Sequence, residues 1–177
     1  MSLVPLKVNK SEVSSTAEKV IDWLLSQKII KDPKTDCVLG SNDGYPPGDN
    51  YNSILNSYDH DLLGLRTNGL DVIRTREVFH NGGNGLDSIC CPTCSTNIIG
   101  SDWGILIDEW YNETGKDTVT CLECKAVHSI IDYKFDPTWA FGNVGFTFWN
   151  WPSFTNQFIN DLEIITRKSM AIVYGRL

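Results

Sequence analysis

Apolar side chains recur at helical spacing near the start of the chain. They follow Ser15-Thr16-Ala17-Glu18, a segment with capping-box spacing, and occupy Ala17, Val20, Ile21, Leu24 and Leu25. This pattern predicts a helix over residues 15–28. Trp23 lies beside the apolar stripe and is expected to pack against the core, because a tryptophan buries a large area. Residues 1–13 show no clear pattern and are expected to form a loosely held start.

Strand-like patterns come later in the chain. Residues 70–79 are rich in β-branched side chains and lie between glycines, so they predict one strand. Phe146 and Phe148 alternate with Thr147 and Trp149, which predicts a second strand. Residues 170–174 are predicted to form a third.

A second helix is predicted between the last two strands. Ser153 is a candidate cap, and one helical face carries the apolar residues Phe154, Phe158, Ile159, Leu162 and Ile165. Strand, helix and strand in this order suggest a βαβ-like unit in which the last strand lies beside the aromatic one. The strand over residues 70–79 is expected to join the same sheet.

Two cysteine hooks separate the first predicted strand from the second. Cys91 and Cys94 form one C-x2-C pair, and Cys121 and Cys124 form the other. Two such pairs supply the four thiolates of a tetrahedral zinc site, which leaves no open position for substrate and is therefore structural. Cys90 and His128 are alternative ligands, although the spacing and Pro92 favour Cys91.

The segment between the hooks is predicted to form a long hairpin arm. It includes a short strand at Ile105-Leu106-Ile107, a turn at residues 112–116 and a returning strand at residues 118–120. The predicted fold class is therefore α+β, a small mixed sheet with two main helices and an inserted four-cysteine zinc ribbon. The chain is expected to be a single domain, residues 1–177, with the zinc-ribbon hairpin inserted at residues 88–136.

Composition narrows the choice of partner. The 177 residues are 41% hydrophobic, which suffices for one sizeable core, and the net charge is −7. Between Cys90 and Asp136 the ionisable acids are Asp102, Asp108, Glu109, Glu113, Asp117, Glu123, Asp132 and Asp136, against Lys116, Lys125 and Lys134. Ribbons that bind nucleic acids neutralise phosphates with Lys and Arg. The acidic ribbon favours instead a partner protein with a basic surface.

The cysteine pattern and hydropathy bear on the compartment. Four of the six cysteines stand in C-x2-C pairs, which favours reduced, metal-binding thiols over disulfides. No apolar run approaches the roughly 18 residues of a transmembrane helix, and the first residues lack the pattern of a signal peptide. A cytoplasmic protein with no membrane partner is expected.

Residues 36–61 form a long acidic segment punctuated by glycine and proline. Its tyrosines argue against disorder, and long loops in compact domains often carry function. Asp59, His60 and Asp61 are candidates for acid–base or metal chemistry, although a solvated loop is favoured. Cys37 is expected to be a small buried apolar residue.

Several separated segments resemble a known family. They are residues 22–25, residues 36–40, the two hooks, residues 141–152 and residues 173–177. In these segments the chain resembles a family of uncharacterised bacterial zinc-ribbon-containing proteins, whose members are sometimes labelled sugar ABC transporter ATPases. The residues do not support that label, because the chain has no G-x4-G-K-[ST] phosphate loop. The resemblance implies no catalytic or cofactor-binding residues.

Three functional hypotheses follow from the sequence. The favoured one is a non-catalytic protein-interaction module with a structural zinc, in a specific form an immunity-type inhibitor that covers a basic toxin domain. The first alternative is a hydrolase-type enzyme whose pocket lies between the sheet and residues 36–61. The second alternative is a nucleic-acid-binding zinc-ribbon protein.

Overall fold

The α+β class is confirmed by the computed structural model, which describes residues 1–58, 61–83 and 85–175. The elements in chain order are β1 Ser2–Pro5, α1 Val13–Ser26, β2 Leu70–Ile73, β3 Glu77–Phe79, β4 Ser88–Cys90, α2 Trp103–Tyr111, β5 Thr118–Thr120, β6 Val127–Ser129, β7 Lys134–Asp136, β8 Ala140–Gly142, β9 Gly145–Phe148, α3 Asn156–Thr166 and β10 Met170–Val173. The strands form one four-stranded sheet and three two-stranded sheets.

The four-stranded sheet has the order β10-β1-β9-β2, and each neighbouring pair is antiparallel. The prediction that β10 lies beside β9 is wrong, because β1 runs between them. The prediction of a loose start is wrong for the same reason. The amino group of Met1 donates to the Phe148 carbonyl at 3.1 Å, and Leu3 is fully buried.

The two faces of this sheet bury different cores. Leu3 packs in the larger core with α1 and α3, whereas its neighbour Val4 packs in a small cluster on the opposite face. Successive side chains of a strand point to opposite faces, so both faces of β1 are covered. Trp23 is partly buried and stacks on Phe158 with ring centroids 5.9 Å apart, which confirms its packing role.

The helices begin at different caps from those predicted. The first helix begins at Val13 rather than residue 15, after a 3-10 turn in which the Asn9 amide donates to the Glu12 carboxylate at 2.9 Å. Thr155, not Ser153, caps α3, since its hydroxyl accepts from the Phe158 amide at 3.2 Å. Both helices bury the apolar faces that the periodicity predicts.

The single strand predicted over residues 70–79 is two strands in two sheets. The first, β2, pairs with β9, and the second, β3, pairs with β8. Phe79 then lies directly over Gly145, where a Cβ atom would come within 2.2 Å of the ring. The absence of a side chain at Gly145 therefore lets the small sheet pack closely against the main one.

The two ends of the segment over residues 88–136 lie side by side, because β4 pairs with β7. The predicted strand at residues 105–107 is wrong, since these residues belong to α2. Helical spacing places Trp103, Leu106, Ile107 and Trp110 on one face of α2. This face belongs to the ribbon core, the buried cluster of Ile89, Cys91, Trp110, Cys121, Ile130, Tyr133, Phe135 and Phe141, and to the residues packed against it. The arm between the hooks is therefore partly helical.

Residues 36–58 are held against the main core rather than disordered. Tyr45 and Tyr51 are buried in that core, and Tyr45 pairs with Leu70 through backbone hydrogen bonds of 3.0 and 2.9 Å. Cys37 is 6% exposed, which confirms its prediction as a small buried residue. No helix in the described ranges is long and apolar enough to cross a membrane.

Candidate metal centre

The four cysteines of the hooks converge on one point. Their sulfur atoms all lie within 4.8 Å of one another. The Sγ atoms of Cys91 and Cys124 are 3.8 Å apart, and those of Cys94 and Cys121 are 3.5 Å apart. Zinc–thiolate bonds of about 2.3 Å give a tetrahedron with edges of roughly 3.8 Å. The spacing therefore fits a metal ion bound by four thiolates.

The two hooks have the same backbone conformation. The Ser95 amide donates to the Cys91 carbonyl at 2.9 Å, and the Lys125 amide donates to the Cys121 carbonyl at 3.0 Å. Ser95 and Lys125 both adopt the left-handed region, each with φ of 61°. Each hook is thus a tight turn that aims its two cysteines at the same point.

Substitutions at Ser95 test the left-handed backbone conformation of this residue. Valine should lower the free energy of unfolding by about 1–2 kcal/mol, because a Cβ atom disfavours this backbone region and a β-branched side chain worsens the clash. Glycine removes the clash and should leave stability equal or slightly higher. Urea denaturation of Ser95→Val and Ser95→Gly provides the comparison. Equal stability of the two variants would contradict the turn geometry.

The pKa values of the cysteines indicate that a bound cation would stabilise the four thiolates. Hydrogen bonds from the Thr96 hydroxyl and amide lower the pKa of Cys94 to about 6. The Ala126 amide lowers the pKa of Cys124, but burial and the neighbouring sulfurs outweigh it and raise that pKa to about 12. One thiolate therefore suppresses ionisation of the next. A divalent cation removes this conflict by stabilising all four thiolates together.

A hydrophobic cluster supports the sulfurs from one side. Cys91 and Cys121 are fully buried and pack with Ile89, Ile130 and Trp110. The other two cysteines are exposed. A metal bound here would lie between the ribbon core and the surface.

Tyr133 places a protonated hydroxyl near the cysteines. Its burial raises the pKa of Tyr133 to about 12, and the charges of Cys91 and Cys121 add to this effect. The phenol therefore stays neutral at physiological pH.

The two alternative ligands lie outside the sulfur group. Cys90 lies on β4, where it pairs with Lys134. Its sulfur is not among the four that lie within 4.8 Å of one another. The Nε2 atom of His128 lies 2.8 Å from the Thr93 hydroxyl, a hydrogen-bond distance. His128 thus contacts the first hook without joining the four sulfurs.

The remaining candidate residues belong to the segment over residues 36–61. Asp59 and His60 lie outside the described residues. Asp61 precedes a 3-10 turn, and its carbonyl accepts from the Gly64 amide at 2.9 Å. Acid–base or metal chemistry at Asp59, His60 and Asp61 stays a prediction.

The sequence patterns did not predict two features in or next to the ribbon. Leu122 is 81% exposed although it lies inside a cysteine hook. The spacing could have signalled this, because a turn that directs both cysteines inward directs its middle residues outward. The second feature is a contact of Arg76. The sequence marks Arg74 and Arg76 as a pair that could bind a carboxylate or phosphate, but it does not show that the Arg76 guanidinium stacks on Trp110 at 3.7 Å from the ring centroid. No local pattern predicts that contact between distant residues.

Comparisons with protein families, curated proteins and solved structures find no match to this chain. The resemblance to the bacterial zinc-ribbon family stays a prediction. The cysteine site and the surfaces around it are the features of the chain that bear on its function.

Proposed function

We propose that this protein is a non-catalytic protein-interaction module held by a structural zinc ion, in a specific form an immunity-type inhibitor that covers the basic domain of a toxin. Zinc is the ion we assign because four thiolates in tetrahedral spacing are the donor set of structural zinc sites. Four protein ligands leave no position for a substrate or an activated water. The metal would therefore stabilise the ribbon rather than catalyse a reaction.

The observation that carries the proposal is the exposure of two apolar side chains, one in the second hook and one just after it. Leu122 is 81% exposed, and Val127, on the strand that follows the hook, is 61% exposed. A metal at the hook would fix the backbone that carries Leu122 before binding, which reduces the entropy lost on association. Rigid apolar side chains of this kind are suited to serve as anchors in a protein interface.

The charge around this pair supports a basic partner. Glu123 lies beside Leu122 and is exposed, and the acids of the ribbon outnumber its lysines. Lys125 lies on the same turn and its ammonium donates to the Leu122 carbonyl, so the negative charge belongs to the ribbon as a whole. A net negative ribbon favours association with a positively charged protein surface and disfavours nucleic acid.

The experiment is affinity purification of the tagged, zinc-loaded protein from its native cell, followed by size-exclusion chromatography. We expect one basic protein in a stoichiometric complex whose affinity falls as salt is raised. Leu122→Glu should abolish the complex by placing a charge at the apolar centre. Ile164→Glu is the matched control, because Ile164 is an exposed residue of α3, 73% exposed, outside the ribbon.

The outcomes separate the hypotheses. Loss of the complex in the Leu122 variant alone supports the ribbon interface, and relief of the partner's toxicity on co-expression supports the inhibitor form. Retention of nucleic acid in place of a protein would favour the nucleic-acid-binding alternative. A complex that survives Leu122→Glu with unchanged affinity would refute the ribbon as the interface.

A further inference from the structure

A cleft of about 700 Å³ lies between the ribbon and the main sheet, away from the hook surface proposed above. Its walls come from the residues after β1, the segment that includes β7 and β8, and the side chains of Arg76 and Trp110. Small-molecule sites in proteins have volumes of roughly 300–1,000 Å³. The cleft is therefore large enough for a small organic ligand.

One wall of the cleft is aromatic and continuous. The ring centroids of Trp110 and Phe141 are 5.2 Å apart, those of Phe141 and Phe135 are 5.3 Å apart, and those of Phe135 and Trp139 are 5.5 Å apart. We call these four residues the aromatic wall. Trp139 is only half-buried, so its indole offers a planar apolar surface to the cleft.

The charge of the cleft is opposite to that of the whole protein. Among the described residues that line it, Lys7, Arg76 and Lys134 are basic and Asp132 alone is acidic. Neither lysine makes an ion pair with a described residue. A protein with a net charge of −7 thus presents a locally positive concave surface.

Arg76 is held in one orientation. Its guanidinium stacks on Trp110, and its Nε donates to the Trp110 carbonyl at 2.9 Å. The Nη1 atom lies 3.4 Å from the Glu113 carboxylate, whereas Nη2 donates no hydrogen bond within the described part of the chain. A guanidinium fixed by stacking loses little side-chain entropy when it binds an anion.

We propose that this cleft binds a small organic anion, a carboxylate or phosphate attached to a planar apolar group. The anionic group would accept from Arg76, with Lys7 and Lys134 adding positive charge. The planar group would pack against the aromatic wall at Trp139. The proposal is independent of the hook interface, because the two sites use different residues.

The test is isothermal titration calorimetry of the zinc-loaded protein at low salt with naphthyl phosphate, naphthoate, naphthylmethanol and naphthylmethylamine. We expect at least one of the two anions to bind about tenfold or more tightly than the uncharged alcohol, because a charged hydrogen bond to a fixed guanidinium adds to the ring contact. The amine should bind weakest. The ratio between the phosphate and the carboxylate identifies the preferred anion.

Variants locate the site. Arg76→Gln should weaken binding of the preferred anion about tenfold. Since Arg76 also contacts Trp110 and Glu113, the double variant Lys7→Gln, Lys134→Gln provides an independent measurement on two exposed side chains, with an expected loss of about fivefold. Lys116→Gln changes the same type of charge on an exposed residue outside the cleft and should leave affinity unchanged.

Three results would overturn the proposal. The first is equal affinity for the alcohol and both anions. The second is undetectable binding of both anions at millimolar concentration. The third is unchanged anion affinity in the double lysine variant.

Discussion

Replacing Cys121 by serine is expected to remove the bound metal and to lower the free energy of unfolding of the ribbon by more than about 4 kcal/mol. Cys121 is fully buried, and its sulfur lies 3.5 Å from that of Cys94. A serine hydroxyl is a poor zinc ligand, so the metal would be lost and with it the bonds that join the two hooks. Metal analysis measures the stoichiometry. Denaturation followed by tryptophan fluorescence measures the stability of the protein, with contributions from Trp103, Trp110 and Trp139 in or against the ribbon core and from Trp23 and Trp151 in or against the main core.

Cys90 provides the matched control because it precedes the first hook directly and stands outside the sulfur group. We expect Cys90→Ser to keep one zinc per chain. Zinc lost from the Cys90 variant and kept by the Cys121 variant would show that the ligand set is wrong. If purified wild-type protein contained no metal, the proposal of a four-thiolate metal site would be refuted.

Phe148→Ala is expected to lower the free energy of unfolding by about 3–5 kcal/mol. Phe148 is completely buried, and its ring lies 4.8 Å from that of Phe154 and 5.2 Å from that of Trp151, measured between centroids. Alanine would leave a cavity where β9 meets α3 and would remove these edge-to-face contacts. Urea denaturation measures the loss as a lower midpoint.

Ile164→Ala is the control for the core variant. Ile164 is 73% exposed on α3, so the change should alter stability by less than about 0.5 kcal/mol. Zinc content should remain the same in both variants, because neither residue belongs to the ribbon core. A Phe148 variant as stable as the Ile164 variant would contradict the packing described for the main core.

Local patterns predicted part of the fold correctly. The helical stripe of α1 and the alternation at Phe146 and Phe148 depend on side chains a few residues apart, and the structure buries both sets. The pattern failed at residues 105–107, where three apolar residues fit a short strand as well as a helix. Only the contacts of Trp103 and Trp110 with the ribbon core distinguish the two structures.

The cysteine site could be predicted from local sequence, whereas the basic cleft as a whole could not. The C-x2-C spacing predicts the cysteine site, because each pair of cysteines needs only one tight turn. The structure places the four sulfurs together. The positive cleft left only a partial signal: the sequence marks Arg74 and Arg76 as a pair that could bind a carboxylate or phosphate, but it does not link Arg76 to the two lysines. Lys7, Arg76 and Lys134 are far apart in the sequence and line one surface only after the ribbon folds against the sheet.

Local sequence was enough to predict the amphipathic helices, the aromatic strand and the two cysteine hooks, since each depends on chemistry within a few residues. The tertiary structure alone decided that β1 lies between β9 and β10 and that a basic cleft forms beside the ribbon. Those features depend on contacts such as that between the Met1 amino group and the Phe148 carbonyl, which are 147 residues apart. Such contacts have no local pattern, because their energy arises only when distant segments pack together.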